Sequence, residues 1–188
     1  MKPWELTETL DRCTIITDTR EQPTARYRAR EKQFEKMGCK TRRETVNSGD
    51  YTAEFELPDG TPFSLRDVVC VERKMSINEI CGNFTHGRER FDREFERLKA
   101  AGTKTYLIIE DAAWDKIYSG NYGGLHPSKM RPTALVASLM AFTARYNIVP
   151  LFCPPQLTAR LIRDIFYYEA RERLEALEDG NGRSEAAV

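Results

Sequence analysis

The chain is predicted to fold as an α/β protein with a mixed central β-sheet flanked by helices. Short apolar runs bounded by turn residues alternate with amphipathic stretches of helical period from Cys13 to Leu177. The alternation is interrupted once, by a hairpin signal at Pro58-Asp59-Gly60, so parallel and antiparallel pairs have to coexist. The 188 residues, 40% of them hydrophobic, are enough to fold without a disulfide or metal staple.

Each element has its own signal. CTIITD (Cys13 to Asp18) is a short buried strand. Thr24 to Gly38 is a helix with an apolar stripe on Tyr27, Phe34 and Met37, stopped by Gly38. Lys40 to Val46 is a strand, Asn47-Ser48-Gly49 a turn, and Tyr51 to Leu57 an alternating strand. Val68 to Glu72 is the next strand. Ser76 is an N-cap for a short helix ending near Gly82, with Glu79 at the capping-box position. Arg88 to Ala101 is an amphipathic helix on Phe91, Phe95 and Leu98, ended by Gly102. Thr105 to Ile109 is a strand, Trp114 to Tyr118 helical, and Gly120 to Pro127 (GNYGGLHP) a loop by composition. Thr133 to Tyr146 is a helix and Ile148 to Phe152 a strand. Gln156 to Leu177 is a long helix whose apolar contacts are expected from Leu157, Leu161, Ile165, Leu174 and Leu177. Glu178 to Val188 reads as frayed.

Composition excludes several classes. No apolar run approaches the roughly 20 residues needed to span a bilayer, and Met1 to Asp11 holds Glu5, Glu8 and Asp11 in place of a signal core. The expectation is a cytoplasmic protein, not secreted and not in a membrane. Five cysteines without a C-x-x-C pair argue against zinc clusters or a disulfide framework. Two histidines, His86 and His126, lack the spacing of a zinc protease. Gly102-Thr103-Lys104-Thr105 has the wrong order for a phosphate-binding loop, so no nucleotide cofactor is indicated. The 29 basic and 29 acidic side chains cancel, but unevenly: Arg20 to Arg43 holds nine basic residues against three acidic ones, and Asp164 to Val188 three against seven. The basic stretch suits a polyanion; an ordinary solvated helix face is the other reading.

The chemistry concentrates at Val71-Glu72-Arg73-Lys74. In a strand Glu72 and Lys74 share one face and Arg73 takes the other. E-x-K alone is usually a surface ion pair. Gly49-Asp50-Tyr51 adds a second carboxylate: if Asp50 to Phe55 pairs antiparallel with Val69 to Lys74, Asp50 falls opposite Lys74 and diagonal to Glu72. A tighter hairpin on Pro58-Asp59-Gly60, stopping near Leu65, is the alternative. Asp18 and Glu21 close the first strand and could reach the same pocket, or Asp18 could be a local cap. Such carboxylates with a lysine suit metal-assisted phosphodiester hydrolysis.

Asp18-x-Arg20-Glu21, Gly49-Asp50-Tyr51, Val71-Glu72-Arg73-Lys74 with Ser76-Ile77, and Gly87-Arg88 before the helix through Leu98 together resemble the nuclease domain of the XPF/Hef structure-specific endonucleases. The resemblance covers about Cys13 to Glu110 and is weaker to about Cys153. It implies a restriction-endonuclease-like fold of the PD-(D/E)XK superfamily, with Mg²⁺ or Mn²⁺ as cofactor. By motif position it makes Asp50 and Glu72 ligands of the main ion, Lys74 the catalytic lysine, and Asp18 and Glu21 supports or ligands of a second ion. Arg20, Arg73 and Arg88 become groups that position the site or bind the DNA backbone. Where the family carries an aspartate four residues after the lysine, this chain has Asn78, followed by Glu79.

The implied activity is a small stand-alone DNA endonuclease acting on branched, flap or fork DNA, with repair, recombination and phage DNA processing all open as its setting. The alternative is a non-catalytic DNA-binding subunit of the same fold. The expected organisation is an N-terminal extension over 1–12, a single nuclease domain over 13–178 and a flexible tail over 179–188. The long last helix is either a homodimer interface or packs on its own sheet.

Overall fold

The computed structural model describes residues 3–185, and side-chain environments within 4–177. The architecture is the expected one, a mixed seven-stranded β-sheet flanked by helices. The chain forms two compact units. One comprises residues 1–46, 51–66 and 159–188; the other comprises 47–50 and 67–158.

In the first unit β1 (Cys13–Asp18) runs parallel to β2 (Lys40–Glu44) and antiparallel to β3 (Tyr51–Glu56), with Ile15 opposite Thr41 and Ala53. β3 turns at Pro58-Asp59-Gly60 into β4 (Pro62–Ser64), pairing Phe55 with Phe63. This is the tighter of the two hairpins the sequence allowed. Gly60 has φ +83° and donates to the Leu57 carbonyl. The connection from β1 to β2 is α2 (Ala25–Lys36), capped by the Thr24 hydroxyl accepting from Tyr27 N–H, and Gly38 at φ +79° ends it.

Two features of this unit differ from the sequence reading. Residues Pro3–Asp11 form a helix, α1, where the sequence reading has only an extension: among its described side chains just Thr9 and Leu10 are fully buried, too few for a periodic signal. The last helix, α7 (Thr158–Glu185), buries Ala159, Ile162, Ile165, Phe166, Ala170 and Leu174. Leu157 and Leu177, expected as apolar contacts, are exposed, because the buried stripe follows the i, i+3, i+4 face that starts at Ala159. The expected tail over 179–188 lies outside the residues whose side chains are described.

In the second unit β5 (Val69–Lys74), β6 (Lys104–Glu110) and β7 (Ile148–Cys153) run parallel, Glu72 pairing with Leu107 and Ile108 with Leu151. Their crossovers are α3 (Ile77–Phe84) and α4 (Arg88–Ala100), then α5 (Trp114–Ser119) and α6 (Pro132–Tyr146). Phe84, Phe91, Phe95, Phe142 and Tyr146 form one aromatic cluster, with ring centroids 4.7–5.9 Å apart. All five cysteines are buried and none is in a disulfide. Among the described residues no helix is long and apolar enough to cross a membrane.

Candidate functional site

Glu72 and Lys74 project from the end of β5 and are 5% and 8% exposed. Lys74 Nζ donates to Glu72 Oε1 at 2.5 Å and lies 5.4 Å from the centroid of the Phe91 ring. Burial pushes the Glu72 carboxyl above the usual carboxylate range, and Lys74 opposes that shift. Burial lowers the Lys74 pKa, but Glu72 and Asp50 outweigh it and the ammonium titrates above its ordinary value. Lys74 is therefore a buried amine whose charged form the neighbouring carboxylates favour.

Asp50 is delivered by the Asn47–Asp50 turn. Its N–H donates to the Val71 carbonyl, and its Oδ2 accepts the Arg73 N–H, both at 2.8 Å. Asp50 therefore lies beside Glu72, between Val71 and Arg73; the register that places it opposite Lys74 is not the one observed. Gly49 makes the approach possible. Its φ is +66°, and a Cβ there would stand 2.8 Å from the Val71 carbonyl oxygen. The turn is held from α4 by Arg97, which donates to the Asn47 carbonyl at 2.8 Å.

Behind Lys74, Ser76 caps α3 as the sequence predicts, its hydroxyl accepting from Glu79 N–H. The Glu79 carboxylate reaches back to Met75 N–H at 2.6 Å, and its charge bears on both Glu72 and Lys74. Asn78 is committed elsewhere: its amide donates to the Gly123 carbonyl and accepts from Ser128 N–H. Glu94 on α4 was missed by the sequence reading although its charge also reaches Glu72. Its spacing, three residues past Phe91, was the available signal.

Arg73 points to the other face, as strand parity requires. It is buried, with Nη1 3.4 Å from Oε2 of Glu110, which is itself 0% exposed and accepts from the Thr158 hydroxyl at 2.8 Å. Glu110 closes β6 and drew no attention in the sequence. Arg88 opens α4 half-exposed, 3.6 Å from Asp92 and over the Phe142 ring. It lines a shallow cleft of ≈ 510 Å³ with His86, Arg90 and Arg93.

The other unit holds Asp18, Arg20 and Glu21. Asp18 is 1% exposed, and its two oxygens take four hydrogen bonds: the Arg20 N–H and Nε on Oδ1, Arg20 Nη2 and Val46 N–H on Oδ2. Burial raises its pKa, but the Arg20 guanidinium and these N–H groups outweigh that and hold it below the usual range. Glu21 pairs with Arg30 at 3.0 Å, and Arg30 Nε donates to the Tyr51 hydroxyl. Arg30 is buried, so the basic stretch exposes Arg26, Arg28 and Lys32 without it.

Among the described residues no three His, Cys, Asp or Glu side chains converge as a ready ligand set. The donors present are nevertheless of the right kind: Asp50 and Glu72 offer hard carboxylate oxygens, and Mg²⁺ is commonly held by one or two carboxylates with water completing its shell.

Comparison with known proteins bears on the fold and the family. A search of curated proteins finds no significant match. Two solved structures of XPF from Aeropyrum pernix match the fold. One has a TM-score of 0.59 at 19% identity, covering 88% of this chain and 69% of that one. The other, in complex with DNA, has a TM-score of 0.56 at 21% identity, covering 89% and 66%. The family model of the ERCC4 domain matches residues 17–165, which include both acidic clusters and the β5 lysine; the chain belongs to the ERCC4 domain family and carries an XPF-type nuclease domain.

Proposed function

We propose that the protein is a divalent-metal-dependent DNA endonuclease that hydrolyses phosphodiester bonds, with branched, flap or fork DNA as its substrate class. The carrying observation is the buried Glu72–Lys74 pair with Asp50 fastened beside it at the end of β5. The DNA-bound XPF relative supports the choice of polymer. Asp50 and Glu72 would hold the ion, which when bound would polarise the phosphate and lower the pKa of a water molecule. Lys74 would face the developing charge on the phosphate, its charged form favoured by Glu72 and Asp50. Glu72 positions that ammonium, and the Phe91 ring limits its rotation. Arg73 has the part of an internal anchor through Glu110, and Arg88 that of a phosphate contact at the cleft. Asp18, its oxygens occupied by Arg20 and Val46, acts as a support; Glu21 acts through Arg30. A homodimer through α7, where Tyr168 and Leu177 are exposed, is tested by light scattering.

The second reading is a DNA-binding subunit without chemistry. It is favoured by one fact: Glu72 is already neutralised by Lys74, leaving one carboxylate of the pair for an ion. Calorimetry with Mn²⁺ separates the readings. Heat of binding that Asp50→Asn removes supports the enzyme; no binding to the wild type leaves the subunit.

A further inference from the structure

Between α5 and α6, residues 120–131 form a loop with both ends sunk in the apolar core. Tyr122 is buried there and Met130 packs against the same cluster. The middle of the loop is held by Asn78. Its Nδ2 donates to the Gly123 carbonyl at 2.9 Å and its Oδ1 accepts the Ser128 N–H at 2.7 Å. Gly124 has φ +82°, and a Cβ there would stand 3.1 Å from Asn78 Nδ2, so the loop closes tightly on that amide. Between these fixed points Leu125 is 95% exposed, more than any other large apolar side chain among the described residues. Lys129 and Arg131 are exposed just beyond it.

A lone surface leucine needs no explanation. Leu125 differs in that its loop is anchored on both sides of it, by Asn78 at Gly123 and Ser128 and by the core at Tyr122 and Met130. The clamp that holds it out, Asn78, is four residues past Lys74 and next to the cap residue Glu79. One projecting apolar side chain with basic neighbours is too small for a stable protein interface. It matches the side chains that proteins insert between base steps, with cations on the flanking phosphates.

We infer that the 120–131 loop enters the substrate and that Leu125 is a wedge at the junction of paired and unpaired DNA, with Lys129 and Arg131 on the adjoining phosphates. The inference rests on the nuclease reading and narrows its substrate class. At a junction the base step is already partly unstacked, so insertion costs least there. It also explains Asn78: an aspartate would lose the donor to the Gly123 carbonyl and release the loop.

The test is splayed-arm DNA with 2-aminopurine at the first unpaired step, titrated in EDTA so that nothing is hydrolysed. Wild type is expected to raise the fluorescence severalfold. Leu125→Ala loses most of the rise while the slope of log Kd against log salt stays unchanged, because no charge is removed. Arg131→Ala keeps the rise and lowers that slope by about one. Asn78→Asp behaves as Leu125→Ala does, with circular dichroism confirming that both variants fold. A wild type without a rise, or Leu125→Ala rising like wild type, overturns the wedge. Cleavage in Mg²⁺ is scored separately: cutting with a Leu125-independent signal removes the wedge alone. A Leu125-dependent signal without cutting keeps the wedge and removes the nuclease; absence of binding in EDTA removes the wedge, and the nuclease then stands or falls on cleavage in Mg²⁺ alone.

Discussion

The carboxylate of Asp50 accepts the backbone N–H of Arg73, the residue between Glu72 and Lys74, at 2.8 Å. One hydrogen bond therefore fixes the separation of the turn carboxylate from the strand's acid and lysine. It works only because Gly49 lets the turn reach the backbone of β5.

Gly49→Ala is expected to destabilise the protein by about 1–3 kcal/mol, since φ +66° and a Cβ 2.8 Å from the Val71 oxygen are both penalised. Urea denaturation measures this. Ser48→Ala next to it, which removes only a weak 3.4 Å contact to Asp67, should cost far less. Equal losses would show that the turn does not depend on glycine.

Lys74→Met leaves the Glu72 carboxylate buried without its partner and should cost about 3–5 kcal/mol. Adding Glu72→Gln should restore most of it. A double-mutant cycle checks the coupling, and additive losses would mean that the two groups do not act as a pair.

Lys74→Ala should reduce cleavage by about 10²–10³-fold, the scale for losing one fixed charge at a developing oxyanion, while DNA affinity changes little. Electrophoretic binding and single-turnover cleavage on the same DNA give both quantities.

Glu54 is held below the usual carboxylate range: burial raises it, but Arg66 and Arg42 outweigh that, and Arg66 and Arg42 also contact Glu44. A depressed carboxyl pKa gives stability that is complete above the unfolded value, about 4.3, and is lost as pH falls from there through the folded value. Glu54→Gln should therefore flatten the fall in Tm below that pH. An identical pH profile would remove Glu54 as a source of acid sensitivity.

The strands and central helices were legible because their apolar periods are set by one buried face: Phe91, Phe95 and Leu98 are all buried as read. α1 was not, since only two of its described side chains are fully buried, and the long α7 was misphased: the reading began its stripe at Leu157, whereas the buried face begins at Ala159. At the site, motif spacing singles out Asp50, Glu72 and Lys74, and the structure sets them near one another, Lys74 on Glu72 and Asp50 on the Arg73 N–H between them. Sequence could not give the neighbours. Arg73 meets Glu110 through packing of separate elements, Arg30 turns inward to Tyr51, and Asn78 finds its partners 45 and 50 residues away.

Cleavage of end-labelled DNA separates an enzyme from a DNA-binding subunit. Single-stranded, duplex, splayed-arm and 3′-flap substrates are incubated with Mg²⁺, Mn²⁺ or EDTA, with Asp50→Asn alongside. The prediction is metal-dependent cutting that Asp50→Asn abolishes, strongest on the branched substrates. Tight, salt-sensitive binding with no cutting in either metal would contradict the enzyme and leave a DNA-binding subunit.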